Sequence, residues 1–301
     1  MVRASATTDG RQARPGPPTE LPVAGPPLSR PPARRRGRGG RWALRAVAVV
    51  YIGILVAVPL ALVFQRTIAD GAGAFWDAIS APDAVHAFKI TAEIALIAVA
   101  INTVFGLGMA LLLARYRFAG RRFLNVLLDI PVSVSPIVVG LALVLVYGPT
   151  QGWFGPSLSN AGVQVIFALP GMVLATCFVS LPLVVRELVP VLQEEGLDQE
   201  VAARSLGANA WQRFVRVTLP TIRWALAYGV VLSLARAIGE YGAVRVVSGD
   251  VIGQTQTATL RVGDLAEQGE PGDYQIALVL VLFAILCIVG ISLLRPKEKK
   301  S

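Results

Sequence analysis

Residues 186–223 read RELVPVLQEEGLDQEVAARSLGANAWQRFVRVTLPTIR, 38 residues set between two long apolar runs. Five basic residues (Arg186, Arg204, Arg213, Arg216, Arg223) balance five acids (Glu187, Glu194, Glu195, Asp198, Glu200), so the stretch lacks the charge of a lipid-binding polybasic loop. Its pattern is that of a helical elbow. Asp198 stands where a side chain caps a helix, Gln199 and Glu200 fall in the first turn, Arg204 lies near the end, and Gly207 supplies a left-handed stop, all in the sense of the helix dipole. A second helix is expected to begin near Asn209, to place Trp211, Phe214 and Val215 on one face by i, i+3, i+4 spacing, and to stop at Pro220. Small residues at Ala202, Ala203 and Gly207 let this backbone seat closely against another protein.

Outward from the elbow the chain is too apolar for a soluble domain: 54% of its 301 residues are hydrophobic and 16% charged. Six runs of about 20 mostly apolar residues are long enough to span a bilayer. They cover roughly 43–64, 88–113, 124–147, 165–185, 224–247 and 274–294. Counted by side, 1–45, 114–123, 186–223 and 295–301 hold 23 basic residues, whereas 65–87, 148–164 and 248–273 hold only Arg66 and Arg261. The positive-inside rule then places the elbow and both termini in the cytoplasm of a multi-pass protein of the cytoplasmic membrane. Residues 1–42, with eight prolines by position 32 and the cluster Arg34-Arg35-Arg36, are expected to be a disordered basic tail. The organisation expected is this tail, a first anchor at 43–64, a transmembrane domain at 88–294 carrying the elbow, and a short basic tail at 295–301. Phe75 and Trp76 are expected to anchor the first outer loop at the interface.

Composition removes several chemistries. The net charge of +9 is almost all in the tail, whose first 45 positions carry ten Arg and two acids, so nucleic-acid binding is not indicated. A single histidine, His86, leaves no His-rich metal site or Ser-His-Asp triad. Cys177 and Cys287 lie in apolar runs as packing residues. None of the four lysines follows a glycine, so a phosphate-binding loop is absent, and Gly106-Leu107-Gly108 is read as helix packing.

The run Val201-Ala202-Ala203-Arg204-Ser205-Leu206-Gly207, followed by Val217-Thr218-Leu219-Pro220, resembles the Glu-Ala-Ala, three residues, Gly, nine residues, Ile-x-Leu-Pro loop of ABC-importer permeases. It departs at one position: the family's glutamate falls on Val201, with Glu200 one place earlier. Leu128-Asp129-Ile130-Pro131 through Ser135-Pro136, Arg186 to Pro190, and Ala235-Arg236-Ala237-Ile238-Gly239-Glu240-Tyr241-Gly242 narrow the likeness to W-type permease subunits of sulfate/thiosulfate importers. Molybdate or tungstate permeases are the alternative. The resemblance implies an all-α integral membrane fold of six helices with a cytoplasmic coupling loop, the type I importer permease fold. It implies no cofactor on this chain and no ATPase site of its own. ATP would be hydrolysed by a dimer of partner subunits on the elbow, beside a second related permease, with an extracytoplasmic sulfate-binding protein and membrane lipid as further partners. Coupling is then assigned to Glu200, Val201, Ala202, Ala203, Gly207, Leu219 and Pro220.

Ionisable groups at membrane depth are functional candidates because each costs about 2.5–3.5 kcal/mol at a helix centre. Arg236 and Glu240, four apart, are expected to pair on one helix face, as a pathway element or as a purely structural pair. Arg245 is expected to leave a surplus of one positive charge that favours an anion. Glu93, Asn102 and Asp129 are read as interhelical glue, and Pro131 and Pro136 as kinks of the third span that free backbone carbonyls, either to line a cavity or merely to bend the helix. A secondary transporter would need internal repeats and its own coupling-ion site, which the sequence does not show, and would leave the elbow without a role.

Overall fold

The computed structural model describes residues 38–294, so the tail before Arg38 and the tail 295–301 lie outside the described residues. Among the described residues every element is helical. The chain divides between Ile54 and Leu55 into two compact units, a boundary that falls within the first helix, α1 (Arg38–Ala69). This helix outruns the apolar stretch 43–64 at both ends, and residues 38–42, expected in the tail, are helical. Hydropathy marks where lipid begins, but the backbone ladder continues as long as no breaker interrupts it.

Beyond Leu55, α2 (Gly71–Ser80) leads to α3 (Pro82–Arg115), whose first turn accepts Pro82 because that N–H would lack a partner anyway. The third expected span is not one helix. It is α4 (Arg121–Ser133) and α5 (Pro136–Tyr147), bent by 112°. Pro131 is accommodated inside α4, whereas Pro136 holds Ser135 out of the helical region, at φ −58° and ψ 134°, and the ladder restarts behind it. After α6 (Gly155–Asn160) comes α7 (Leu169–Glu194), which starts later than expected and takes up the first nine residues of the elbow. Leu188 and Leu192 carry it there, since both are fully buried with Leu113, Val184 and Ile222.

The elbow contains α8 (Asp198–Ser205), α9 (Ala210–Arg213) and a π turn at Phe214–Thr218 that runs into α10 (Leu219–Ile238). Then follow α11 (Gly242–Ser248), α12 (Ala258–Gln268) and α13 (Asp273–Leu294). The fifth expected span, 224–247, is therefore also broken, at Gly239–Tyr241. Five of these helices are long and apolar enough to cross a membrane, and the number reaches six when the bent α4–α5 pair is counted as one span.

At the centre, α3, α7 and α10 pack together. A Cβ on Gly106 would lie 3.0 Å from Val184, so Gly106 serves helix packing, whereas one on Gly108 would meet nothing within 4 Å. Asn102 acts as the expected glue, its amide donating to Ser180 Oγ (2.8 Å) and to the Cys177 carbonyl (3.1 Å). Because lipid tails are as apolar as leucine, close packing and such bonds, more than exclusion of water, hold α3 to α7.

Candidate functional site

Two regions gather the functional candidates, and the first is the elbow. Asp198 is not the cap of α8: Leu197 holds that position, no side chain caps it, and Asp198 is the first helical residue. With Glu200 it puts two acids in the first turn, where the dipole favours them. The far end closes as expected: Gly207 has φ +84°, its N–H donates to the Arg204 carbonyl, and the Ala208 N–H donates to that of Ala203, both at 3.0 Å. Asn209 then caps α9 reciprocally with Gln212, through bonds of 2.8 and 3.0 Å. The helix does not stop at Pro220. The Leu219 N–H reaches back to Phe214, an i→i+5 bond that re-phases the ladder just before a residue with no N–H to give. The outer surface carries exposed apolar side chains, Leu206 at 88% and Trp211 at 71% with Val201 and Leu197, among charged ones such as Asp198 and Arg204. Its inner side is polar. Glu200 accepts from Arg115 (2.8 Å) and from the Thr218 hydroxyl (3.0 Å), while Arg115 also donates to the carbonyls of Leu192 (2.9 Å) and Gly196.

The second region is the break between α10 and α11. Arg236 Nη1 lies 2.7 Å from Glu240 Oε2 although Glu240 falls beyond the end of α10. The other carboxylate oxygen accepts the Ala243 N–H (2.9 Å), capping α11, and the Glu240 carbonyl accepts from Thr259 (2.8 Å). The Glu240 side chain is 2% exposed and that of Arg236 38%, so the pair shows its cation outward. The α4–α5 break lies alongside: a Cβ on Gly242 would come within 3.1 Å of Pro136, and one on Gly140 within 2.8 Å of the Ala243 carbonyl. Arg245 adds no free charge. Its guanidinium is bonded to both Asp250 and Asp264, and Gln256 donates to Asp264 (2.6 Å). Arg236 is matched by Glu240, and Arg245 faces Asp250, Asp264 and, at 3.9 Å, Glu267, so the expected positive surplus is absent. Burial, with the Asp264 carboxyl adjoining, pushes the Asp250 carboxyl above its ordinary range. Among the described residues no group of three or more His, Cys, Asp or Glu side chains is arranged to hold a metal.

Residues 102–297, which include both regions, match the family model described as the binding-protein-dependent transport system inner membrane component. The chain belongs to that family. This permease is 45% identical over 261 residues to the sulfate transport system permease protein CysW of Escherichia coli (strain K12), covering 85% of this chain and 88% of that one. It is 34% identical over 251 residues to the CysT permease of the same strain, covering 83% and 90%. It is 53% identical over 219 residues to a chloroplastic sulfate permease 2 of Chlamydomonas reinhardtii, covering 73% of this chain but only 59% of that protein's length. A bacterial alginate ABC transporter, solved with an alginate pentasaccharide-bound periplasmic protein, shares the fold: TM-score 0.65 at 18% identity, covering 84% of this chain and 92% of that one. The architecture is the type I ABC importer permease fold, all-α and membrane-spanning.

Within this permease, the coupling candidates divide by face. Val201, Ala202 and Gly207 are exposed, Ala203 is half-buried, and Glu200 turns inward to a partner on α3; Leu219 and Pro220 lie inside one continuous helix. Of the pathway candidates, Arg236 and Glu240 come together and Arg245 joins a separate cluster. Asp129 bonds to Arg186 (2.5 Å), tying α4 to α7. Glu93 is exposed on α3 and bonds to no other helix among those described, so it is not glue within this chain. Sequence reasoning missed Arg115, Thr218, Asp250 and Asp264. In the sequence Arg115 is one of many basic residues, and nothing in its neighbourhood points to an acid so far along the chain.

Proposed function

We propose that the chain is a permease subunit of an ATP-driven importer that moves sulfate or thiosulfate across the cytoplasmic membrane, with both termini on the cytoplasmic side. The observation that carries the substrate is the 45% identity to a CysW protein across 88% of that protein's length. The relationship to a CysT protein supports a second, related permease as the partner in the membrane. An extracytoplasmic binding protein delivers the anion, and lipid surrounds the apolar spans. The chain binds no cofactor and catalyses no covalent step; ATP is hydrolysed by a pair of ATPase subunits seated on the elbow. The exposed Leu206 and Trp211, one on each side of the Gly207 turn, suit such a seat. A tetrahedral dianion has a large desolvation cost, which favours a hydrated passage over a dry trap at mid-membrane. Beside the paired breaks of α4–α5 and α10–α11, the outward guanidinium of Arg236 offers the anion a modest positive contact, with Glu240 buried behind it. Selectivity then resides mainly in the binding protein. Uptake of labelled sulfate by the reconstituted complex in cells lacking their own sulfate permease tests this reading; uptake of molybdate but never sulfate would overturn it.

A further inference from the structure

Helix α8 is eight residues long and buries none of them. A glycine in the left-handed region precedes it, Gly196 at φ +67°, and another follows it, Gly207 at φ +84°, so backbone alone gives it hinges at both ends. A side chain from outside the elbow reaches it. Arg115, the last residue of α3 and only 12% exposed, donates to the Leu192 carbonyl near the end of α7, to the Gly196 carbonyl in the turn, and to the Glu200 carboxylate on α8. Glu200 passes the connection on to Thr218, at the end of the π turn that opens α10. A planar fork can serve several acceptors at fixed angles, which a lysine cannot.

We propose that Arg115 is a positioning residue for transport, the clasp that makes the elbow move as one body with α3. This deepens the reading of the elbow as the seat of the ATPase. Force applied at Leu206 and Trp211 reaches α3, α7 and α10 through Arg115 and Glu200; without the clasp, α8 swings on its two glycines and the stroke is lost.

The test uses the complete complex, both permeases, ATPase pair and binding protein, in proteoliposomes, with Arg115→Lys, Arg115→Met, Glu200→Gln and, as the mildest change, Thr218→Val. Copurification of ATPase, ATP hydrolysis, sulfate moved per ATP, and amide hydrogen exchange over residues 197–206 are measured. Arg115→Met and Glu200→Gln should keep the ATPase bound and hydrolysing while sulfate per ATP falls about fivefold or more. Arg115→Lys and Thr218→Val should fall between, and exchange in α8 should quicken about tenfold. An unchanged ratio in Arg115→Lys and Glu200→Gln overturns the clasp, as does loss of ATPase binding in step with loss of transport, which marks a residue that merely folds the elbow. Leu206→Asp separates the two readings: it should release the ATPase, and if the ATPase stays bound, the docking surface is wrong whatever Arg115 does.

Discussion

Glu240 performs two jobs that substitution can separate. Glu240→Gln keeps an oxygen for the Ala243 N–H and removes the charge opposite Arg236, whereas Glu240→Ala removes both. Losing a helix cap costs about 1 kcal/mol. Breaking an ion pair by deleting one member costs about 3–5 kcal/mol when both are buried and about 0.2–1 kcal/mol when both are exposed. Here the carboxylate is buried and the guanidinium 38% exposed, which puts the charge contribution in between, at about 2 kcal/mol. Glu240→Gln should then destabilise by about 2 kcal/mol and Glu240→Ala by about 3. Arg236→Gln combined with Glu240→Gln removes both charges and should return to within about 1 kcal/mol of the native chain. Thermal unfolding of the purified complex reads these differences, and sulfate uptake is measured on the same preparations. Equal losses for Gln and Ala would show that the cap is not formed, and a double variant no better than the single one would show that charge is not what the pair supplies. Native uptake by the stabilised double variant would make the pair structural and remove Arg236 from the pathway.

Gly207→Val meets no atom within 4 Å of the new Cβ, so its penalty is backbone strain alone, about 1 kcal/mol or more, with Gly207→Asn milder; expression should persist while ATP-coupled uptake falls, and normal coupling in the valine variant would sink the assignment of Gly207. The Asp250 carboxyl is pushed up on folding, so the native fold holds its proton more readily than the unfolded chain does: that contribution to stability is fully present below the ordinary aspartate range and is lost as pH rises through the raised value. Asp250→Asn should therefore melt higher than the native chain at neutral pH, with the difference vanishing in acid; melting curves across that range check the sign. Reporter fusions at residues 75, 155 and 262 should be outside and those at 118 and 205 inside, and an outside signal at 205 contradicts the proposed orientation.

Much of the architecture was legible in the residues alone. Apolar runs of bilayer length depend only on composition over some 20 positions, and four of the six fall largely on one long helix each, the third on the bent α4–α5 pair and the fifth on α10 and the break that follows it. Gly207 ends α8 because a left-handed stop is a matter of a few consecutive dihedrals, and the reciprocal cap of Asn209 and Gln212 is equally local. Pro136 marked one weak point, but not how far it would open.

Tertiary structure decided what those local features do. Whether a proline kinks a helix or divides it by 112° depends on what packs against the freed backbone, here α11 against α5. Glu200 lies one place before the family's glutamate position in the chain, but only the fold turns it inward to Arg115, on a different helix. Arg245 looked like surplus charge because its acids, Asp250 and Asp264, lie beyond the helical spacing that sequence reading can use. Spacing along a chain governs contacts within a turn or two; the partner of a charge elsewhere is chosen by which helices meet, and that is a property of the packed whole.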